Sequence, residues 1–415
     1  MTRPRFISWV ILTLLPLTTC PRVFGETLGK RDLLVQYKVE GGQYRATLYR
    51  ADWKDPLSVT IGDASEVESL PLDSSLYEGE NSVRAYSLLI SPFERYVRRG
   101  GNIYYLAAGA VHFINVEVLR GKDGKMACGK YRFFRVSDKN NLPRWEKKTK
   151  YDHKLLILFG GMNYEADFET MNSYSWIYHV KDFKPLMEDF KGTDVTELDF
   201  GKADDGTRAG YLSLRESRGE IKFIHGMESL FTLPRTGSRA LEEEFRIQVR
   251  SNEPYYLHLS THTFSSHMEG GHPQDRDWVY SHCGLLFSGA GHTLRGESMP
   301  YGLNDGLLYA KEISQMKMGN CELLVLAACN TALGTVTQDG VIGLQSAFKQ
   351  AGVRTLVMTL WSVNDKATSE FMKRFYKYLF DGYHKHLALE KARADLMRSE
   401  DYNDPLYWAP FIMLD

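Results

Sequence analysis

The sequence lacks the strong charge imbalance that nucleic-acid-binding and membrane-surface proteins carry. Its 415 residues contain 51 Lys and Arg against 52 Asp and Glu, a formal net charge of -1. Such a balance creates no strong field for a polyanion, so neither nucleic acid nor an anionic membrane is an expected partner. The sequence also shows no internal repeat. Its length exceeds what one hydrophobic core usually supports, so we expect two packed units.

The usual metal-binding motifs are also missing. Cysteine is scarce, with 5 residues in the chain, and there is neither a CxxC nor an HExxH motif. Several histidines lie between 258 and 282, but His258 and His262 would be about 13 Å apart on one strand. We therefore expect no metal and no other cofactor. His258, inside an apolar strand, is expected to be a hydrogen-bonded core histidine.

A long apolar run occurs at the start of the sequence. Arg3 and Arg5 precede the apolar stretch 6–17, a pattern typical of a secretory signal peptide and too short for a normal membrane span. We predict that residues 1–25 are a signal peptide and that the protein is exported, to the periplasm or the medium. As an alternative, residues 17–20 resemble a bacterial lipobox, which would make Cys20 the lipidated residue and a membrane the partner of that lipid alone.

The hydrophobic pattern predicts an α/β fold. Alternating residues at 33–37 and 44–49 indicate a short β-rich lead-in over residues 26–80. Beyond it, short apolar runs alternate with helical patterns, which predicts a mostly parallel sheet flanked by helices. We place one subdomain at 81–200 and a second at 201–415.

Individual elements follow from the same pattern. Gly352 is expected to end a helix, and Pro410 to place the last strand at a sheet edge because proline cannot donate to a ladder. The predicted strands are 88–90, 103–106, 155–159, 256–261, 285–287, 322–328, 353–359 and 407–414, and the predicted helices are 306–316, 340–351, an amphipathic helix containing 371–379, and 387–397.

Two of the apolar strands each lead to a reactive side chain. Residues 256–261 run into His262, and residues 322–328 run into Cys329. Because ligands bind at the carboxyl ends of strands in open α/β sheets, and neighbouring strands lie about 4.8 Å apart, the two side chains can meet at one edge. An imidazole near a thiol can take its proton and later protonate a leaving amine. The histidine precedes the cysteine by 329 - 262 = 67 residues, the order found in caspases.

Several segments together resemble a CHAT-domain peptidase, a relative of caspases and separases. The likeness covers about residues 80–415. It is carried by residues 257–262 (LHLSTH), 305–313 (DGLLYAKEI), 324–334 (LVLAACNTALG), 360–365 (LWSVND) and 407–411 (YWAPF), and more weakly by 87–92 (SLLISP) with 104–112 (YYLAAGAVH).

The resemblance implies a cysteine endopeptidase with a caspase-like catalytic subdomain at 201–415 after a related, non-catalytic one. It assigns the nucleophile to Cys329 and the general acid/base to His262. The backbone N–H groups of Cys329 and Thr263 would form the oxyanion hole. The expected partner is a protein or peptide substrate. Family members are often gated by fused helical repeats, and none is visible here, so gating would need a regulatory protein partner or the chain's own loops.

Other readings of these residues remain open. The family usually has glycine where this chain has Thr263, which motivates the alternative of a weakened peptidase fold that binds a protein partner. A thiol acyltransferase on the same dyad is a third class. Trp361 and Asp365 would contact substrate, although Ser362 and Asp365 also have the spacing of a helix capping box. The other mature cysteines, Cys128, Cys283 and Cys321, are expected to be reduced structural thiols.

Overall fold

The structure, a computed structural model, describes residues 28–144, 154–175, 198–199, 214–228, 231–266, 275–327, 335–337 and 340–415. The predicted signal peptide, Cys20 and Cys329 lie outside these residues. The strands are β1 Leu33–Glu40, β2 Gln43–Tyr49, β3 Leu57–Asp63, β4 Asn102–Leu106, β5 Arg132–Arg135, β6 Leu155–Met162, β7 Leu198–Asp199, β8 Thr232–Gly237, β9 Tyr255–Ser260, β10 Thr263–Ser266, β11 Cys283–Leu286, β12 Leu307–Tyr309, β13 Cys321–Leu326, β14 Thr335–Thr337, β15 Gly340–Ile342, β16 Leu356–Thr359 and β17 Phe411–Leu414.

The helices connect and cover these strands. They are α1 Ala64–Glu68, α2 Gly79–Leu89, α3 Ser91–Glu94, α4 Phe168–Ser175, α5 Arg215–Met227, α6 Glu242–Gln248, α7 Arg276–Tyr280, α8 Ala290–Leu294, α9 Ala310–Gln315, α10 Leu344–Ala351, α11 Asp365–Phe380, α12 Lys385–Met397 and α13 Pro405–Trp408, with short 3-10 turns at Ser74–Tyr77, Gly109–Phe113, Val116–Val118 and Ala127–Gly129. Within this part of the chain, no helix combines the length and the apolar character that crossing a bilayer requires.

The described strands build one 11-stranded sheet in the order β3-β2-β1-β4-β5-β17-β16-β13-β9-β6-β8. The pairs are parallel except for the hairpins β1–β2 and β2–β3 at one end and the β16–β17 pair in the middle. Two smaller sheets lie beside it, β12-β11-β10-β7 and the hairpin β14–β15. The predicted fold class, α/β with a mostly parallel sheet flanked by helices, is confirmed.

Successive side chains of the central strands point to opposite faces of the sheet and therefore belong to two different hydrophobic cores. In β13, Leu323 and Val325 belong to one core, and Leu324 and Leu326 belong to the other. Helices α5, α11 and α12 cover the first face, and α6, α9 and α10 cover the second. Strands buried on both faces have to be apolar throughout, which explains why β6 and β13 read as continuous hydrophobic runs.

The last strand is not at an edge, so that prediction was wrong. Strand β17 pairs antiparallel with β16 and, through Leu414 and Arg135, parallel with β5. Pro410 lies just before the strand, and its carbonyl accepts from the N–H of Leu360 at 3.1 Å. Because the missing N–H falls outside the ladder, proline does not prevent β17 from joining the two halves of the sheet.

Three other element predictions need correction. Residues 88–90 are not a strand, because they end α2, whose buried face contains Ala85, Tyr86 and Leu89 at helical spacing. The predicted helix 340–351 is a short strand followed by α10, although Gly352 does end that helix, at a φ of 104°. The predicted helix 306–316 also begins with a strand, β12, before α9.

The subdomain boundary at residue 200 stays a prediction, but the sheet does not divide there. Strand β6, which we assigned to the segment 81–200, lies between β8 and β9 of the segment 201–415. The two neighbours of β6 both pair with it in parallel, with Leu158 opposite Pro234 on one side and His258 on the other. Strand β6 therefore helps to position the strand that carries the candidate base.

Candidate active site at the carboxyl ends of β9 and β13

Strands β9 and β13 lie side by side and point in the same direction. Leu259 is opposite Leu326, and the N–H of Ala327 donates to the carbonyl of Leu259 at 2.8 Å. His262 follows Leu259 by three residues, and Cys329 follows Leu326 by three. The thiol itself is outside the described residues, but the two strands leading to the predicted dyad end together at one edge of the sheet.

The backbone of His262 is held from two sides. Its N–H donates to the hydroxyl of Tyr164 at 3.2 Å, and its carbonyl accepts from the N–H of Leu286 at 3.0 Å. The imidazole, which is partly exposed, lies beside the Tyr164 ring with a centroid distance of 5.4 Å. These contacts fix the histidine between the end of β6 and the small sheet that contains β11.

Tyr164 is a site residue that the sequence did not reveal. It is 1% exposed and bonds to Thr261 Oγ1 at 3.0 Å, while the Thr261 hydroxyl donates to the carbonyl of Leu286. Because the Thr261 proton is used there, the Tyr164 hydroxyl donates to Thr261 and accepts from His262. One phenol thus satisfies two consecutive residues at the turn where β9 becomes β10.

Replacing Tyr164 by phenylalanine should loosen this turn. The change removes the buried hydroxyl that bonds to Thr261 and accepts from the N–H of His262, a cost of about 1–3 kcal/mol in the free energy of unfolding. If the proposed chemistry holds, kcat should fall by about 10- to 100-fold with little change in KM, because misplacement of a reacting group acts on the transition state. Steady-state kinetics and thermal unfolding measure the two effects. Tyr301→Phe, at a fully exposed position (101%), is the matched control and should change neither.

Asp365 does not cap its helix through Ser362, so the predicted capping box was wrong. Helix α11 begins at Asp365, and its N-cap is Asn364, whose side chain accepts from the N–H of Lys366 at 2.9 Å. Asp365 instead lines a cavity of about 20 Å³ with Ser260 and Ala327 at the carboxyl ends of β9 and β13. That is space for about one water molecule.

The environment of Asp365 links it electrostatically to the candidate base. Burial raises the pKa of this carboxyl, Glu220 and Glu216 act in the same direction, and His262 opposes them. The carboxyl is therefore within electrostatic reach of the imidazole. Its predicted role in substrate contact stays a prediction.

Trp361 lies at the carboxyl end of β16, after Leu360. Its indole N–H donates to the carbonyl of Leu406 at 3.2 Å, and its ring packs against Tyr77 with a centroid distance of 5.9 Å. The side chain thus connects the loop after β16 to α13 and to the 3-10 turn at Ser74–Tyr77. Substrate contact by Trp361 also stays a prediction.

His258 is a hydrogen-bonded core histidine, as predicted. It is completely buried, with Nε2 at 2.7 Å from the Glu220 carboxylate and Nδ1 at 3.1 Å from the Tyr376 hydroxyl. Glu220 lies on α5 and Tyr376 on α11, so this trio fastens both helices to β9. Glu220 also lines the small cavity near Asp365, which places the trio directly beneath the candidate site.

Thr263 begins strand β10, opposite Leu285. An extended backbone is the conformation that a β-branched residue favours. Thr263 therefore does not adopt the positive φ that a glycine, usual in the family at this position, would allow. Thr263 is the first residue of β10, one strand of the small sheet β12-β11-β10-β7. This strand therefore begins directly after the candidate base, His262. The role of the Thr263 N–H in an oxyanion hole stays a prediction.

The remaining described cysteines are poor nucleophiles. Cys128, Cys283 and Cys321 are free thiols in the structure. Burial raises the pKa of Cys128 to about 11 and those of Cys283 and Cys321 to about 12. A thiol that stays protonated at neutral pH attacks slowly. In the described part of the chain, no group of three or more His, Cys, Asp or Glu could hold a metal ion.

A family model for the CHAT domain matches residues 80–414. The chain belongs to the CHAT domain family. The match begins after β3 and includes the strands from β4 to β17, while the roles of His262 and Cys329 stay predictions.

Curated relatives match only part of this CHAT domain. Tetratricopeptide repeat protein 28 of Mus musculus is 30% identical over 112 residues, and its Homo sapiens counterpart is 31% identical over the same length. In both cases the match covers 27% of this chain and 4% of the relative. The chain thus spans a very small fraction of the curated relatives it matches.

Among solved structures, the chain is similar to the Saccharomyces cerevisiae separase–securin complex, with a TM-score of 0.37, 11% identity, and coverage of 75% of this chain and 15% of that one. The complex of Porphyromonas gingivalis RgpB pro- and mature domains gives a TM-score of 0.40 and 5% identity, covering 83% of this chain and 74% of that one. At these scores neither likeness carries an argument about function.

Proposed function

We propose that this CHAT domain is a cysteine-type endopeptidase with Cys329 as nucleophile and His262 as general acid/base. The observation that carries the proposal is the register of β9 and β13, with Ala327 bonded to Leu259 at 2.8 Å. His262 follows Leu259 and Cys329 follows Leu326, each by three residues, so this register supports a meeting of the two side chains at the carboxyl ends of β9 and β13. An imidazole and a thiol that meet there would be able to exchange a proton.

The dyad would act in two steps. The thiol transfers its proton to His262 while sulfur attacks the peptide carbonyl, and the protonated imidazole then passes that proton to the leaving amine. A water molecule, deprotonated by His262, hydrolyses the resulting thioester and regenerates the thiol. The N–H groups of Cys329 and Thr263 would stabilise the oxyanion in both steps, at about 10²–10³-fold in rate per donor.

The burial and positions of the other described cysteines support the assignment of the nucleophile to Cys329. Cys283 is the cysteine nearest in sequence to His262, but it belongs to β11 and burial raises its pKa to about 12. Cys321 lies at the opposite, amino-terminal end of β13 and is buried. Cys329 is the cysteine that follows a parallel strand at its carboxyl end.

A peptide-library digest tests the proposal. The purified protein should cleave peptides between amino acids, and Cys329→Ala should lose that cleavage down to the background of the preparation. Cys283→Ala is the matched control, because it removes a thiol outside the dyad and should keep the activity. Mass spectrometry of the products reads the cleaved bonds. Equal cleavage by wild type and Cys329→Ala would contradict the proposal, and binding of peptides without cleavage would favour the alternative of a protein-binding module.

A further inference from the structure

A second, larger cavity lies at the carboxyl ends of β6 and β8. Its volume is about 500 Å³, within the range that accommodates a ligand of several functional groups rather than a lone ion. Asn163 lines it, and the next residue is Tyr164, which holds His262. The cavity therefore adjoins the candidate active site at the edge of the sheet where ligands of open α/β folds bind.

The described residues that line this cavity carry positive charge. Arg218 and Arg239 line it, and none of the described lining residues is acidic. In the part of the chain that the structure describes, neither guanidinium pairs with a carboxylate, and the contact of Arg239 is with the ring of Tyr174 at 5.3 Å.

The backbone around the cavity supports anion binding. Arg218 is in the first turn of α5, where the helix dipole favours negative charge. Gly161 forms a bulge in β6 with a φ of 57°, and a Cβ there would come within 2.5 Å of the Arg218 Cβ. The bulge thus lets the helix start approach the strand end. Asn163 and Ser238, which bond to each other at 3.2 Å, add neutral polar groups to the rim.

We propose that this cavity, lined by Arg218 and Arg239, binds an acidic side chain of the peptide substrate. Guanidinium groups recognise carboxylates through paired, charge-assisted hydrogen bonds, which makes Asp or Glu the fitting side chain. This inference rests on the proposed function, because it treats the bound peptide as a substrate of the peptidase. The binding of an acidic peptide can be measured without cleavage.

The test measures binding of peptides to the full-length Cys329→Ala protein by fluorescence anisotropy. A set of peptides carries a single Glu or Gln, moved through each position in turn. At one position, the Glu peptide should bind about 10- to 100-fold more tightly than its Gln partner, the range of one charge-assisted contact. Adding Arg218→Ala and Arg239→Ala should remove that preference. Lys222→Ala, on the same helix but outside the cavity, is the matched control and should retain it.

A charge reversal provides a second variant. With Arg218→Glu and Arg239→Glu, a Lys peptide should bind better than the Glu peptide at the same position. Inorganic phosphate serves as a probe that distinguishes a site for a free anion from a site for an acidic peptide side chain. Stabilisation of the arginine-containing protein by phosphate, without any Glu preference among peptides, would overturn the inference, as would a preference that survives both arginine replacements.

The two proposals fail in different ways. If wild type cleaves peptides but Glu and Gln peptides bind equally, the anionic subsite is wrong and the endopeptidase stands. If wild type cleaves nothing while the Cys329→Ala protein still prefers the Glu peptide, the peptidase is wrong and the cavity remains an anion-binding peptide site.

Discussion

The His262→Ala variant should cleave peptides about 10²–10⁴-fold more slowly than wild type in kcat/KM, the usual contribution of a general acid/base. In the proposed mechanism, the imidazole at the end of β9 takes the thiol proton and protonates the leaving amine. Its backbone contacts, to Tyr164 and Leu286, do not involve the ring nitrogens, so the turn keeps its hydrogen bonds in the variant. Initial rates on a fluorogenic peptide give the measurement.

His282→Ala is the control for this loss. His282 lies outside the dyad, stacked on Trp278 with a centroid distance of 4.2 Å, so removing it tests the effect of losing any imidazole near β11. We expect that variant to keep its activity. Undiminished cleavage by His262→Ala, or an equal loss in both variants, would contradict the role assigned to His262.

Removing the Glu220 carboxylate should destabilise the fold by about 1–3 kcal/mol, because it leaves the buried imidazole of His258 without this polar partner. His258 is completely buried, and Glu220 is 2% exposed. The Glu220→Ala variant also loses the contact between α5 and His258 on β9. Strand β9 lies next to β13, the strand that leads to Cys329. Urea unfolding monitored by circular dichroism should show a midpoint well below that of wild type.

A double replacement separates the contact between His258 and Glu220 from the packing around it. Glu220→Leu combined with His258→Leu removes both polar partners, and such exchanges are often close to neutral. The double variant should therefore be more stable than Glu220→Ala. Lys222→Ala, an exposed change on the same helix, should stay within about 0.5 kcal/mol of wild type. A Glu220→Ala midpoint equal to that of wild type would show that the pair does not hold α5 in place.

The buried strands could be predicted because their hydrophobic runs are unambiguous. Residues 155–159 and 256–261 become β6 and β9 within a few positions, since a strand covered on both faces has to be apolar throughout. The position of β17 could not be predicted in the same way. Its neighbours β5 and β16 are set by contacts such as Leu414 with Arg135, which are distant in sequence. A proline next to a strand says nothing about which strands flank it.

The sequence predicted the candidate reactive residues of the site but not the residues that hold them in position. His262 and Cys329 stand out because each follows an apolar strand in the order that the family uses. Tyr164 does not, since its contact with His262 depends on β6 lying next to β9. The capping box failed for a local reason. Asn364 is itself a strong N-cap residue and stands closer to the start of α11 than Ser362 does.

The pH dependence of Cys329 alkylation tests the contact between imidazole and thiol most directly. Mass spectrometry of the peptide containing Cys329, after timed reaction with iodoacetamide, gives the rate at each pH. In wild type the rate should rise with a midpoint well below the ordinary thiol pKa of about 8.5, and in His262→Ala the midpoint should return to about that value or higher. Identical profiles in the two proteins would show that His262 and Cys329 do not act together.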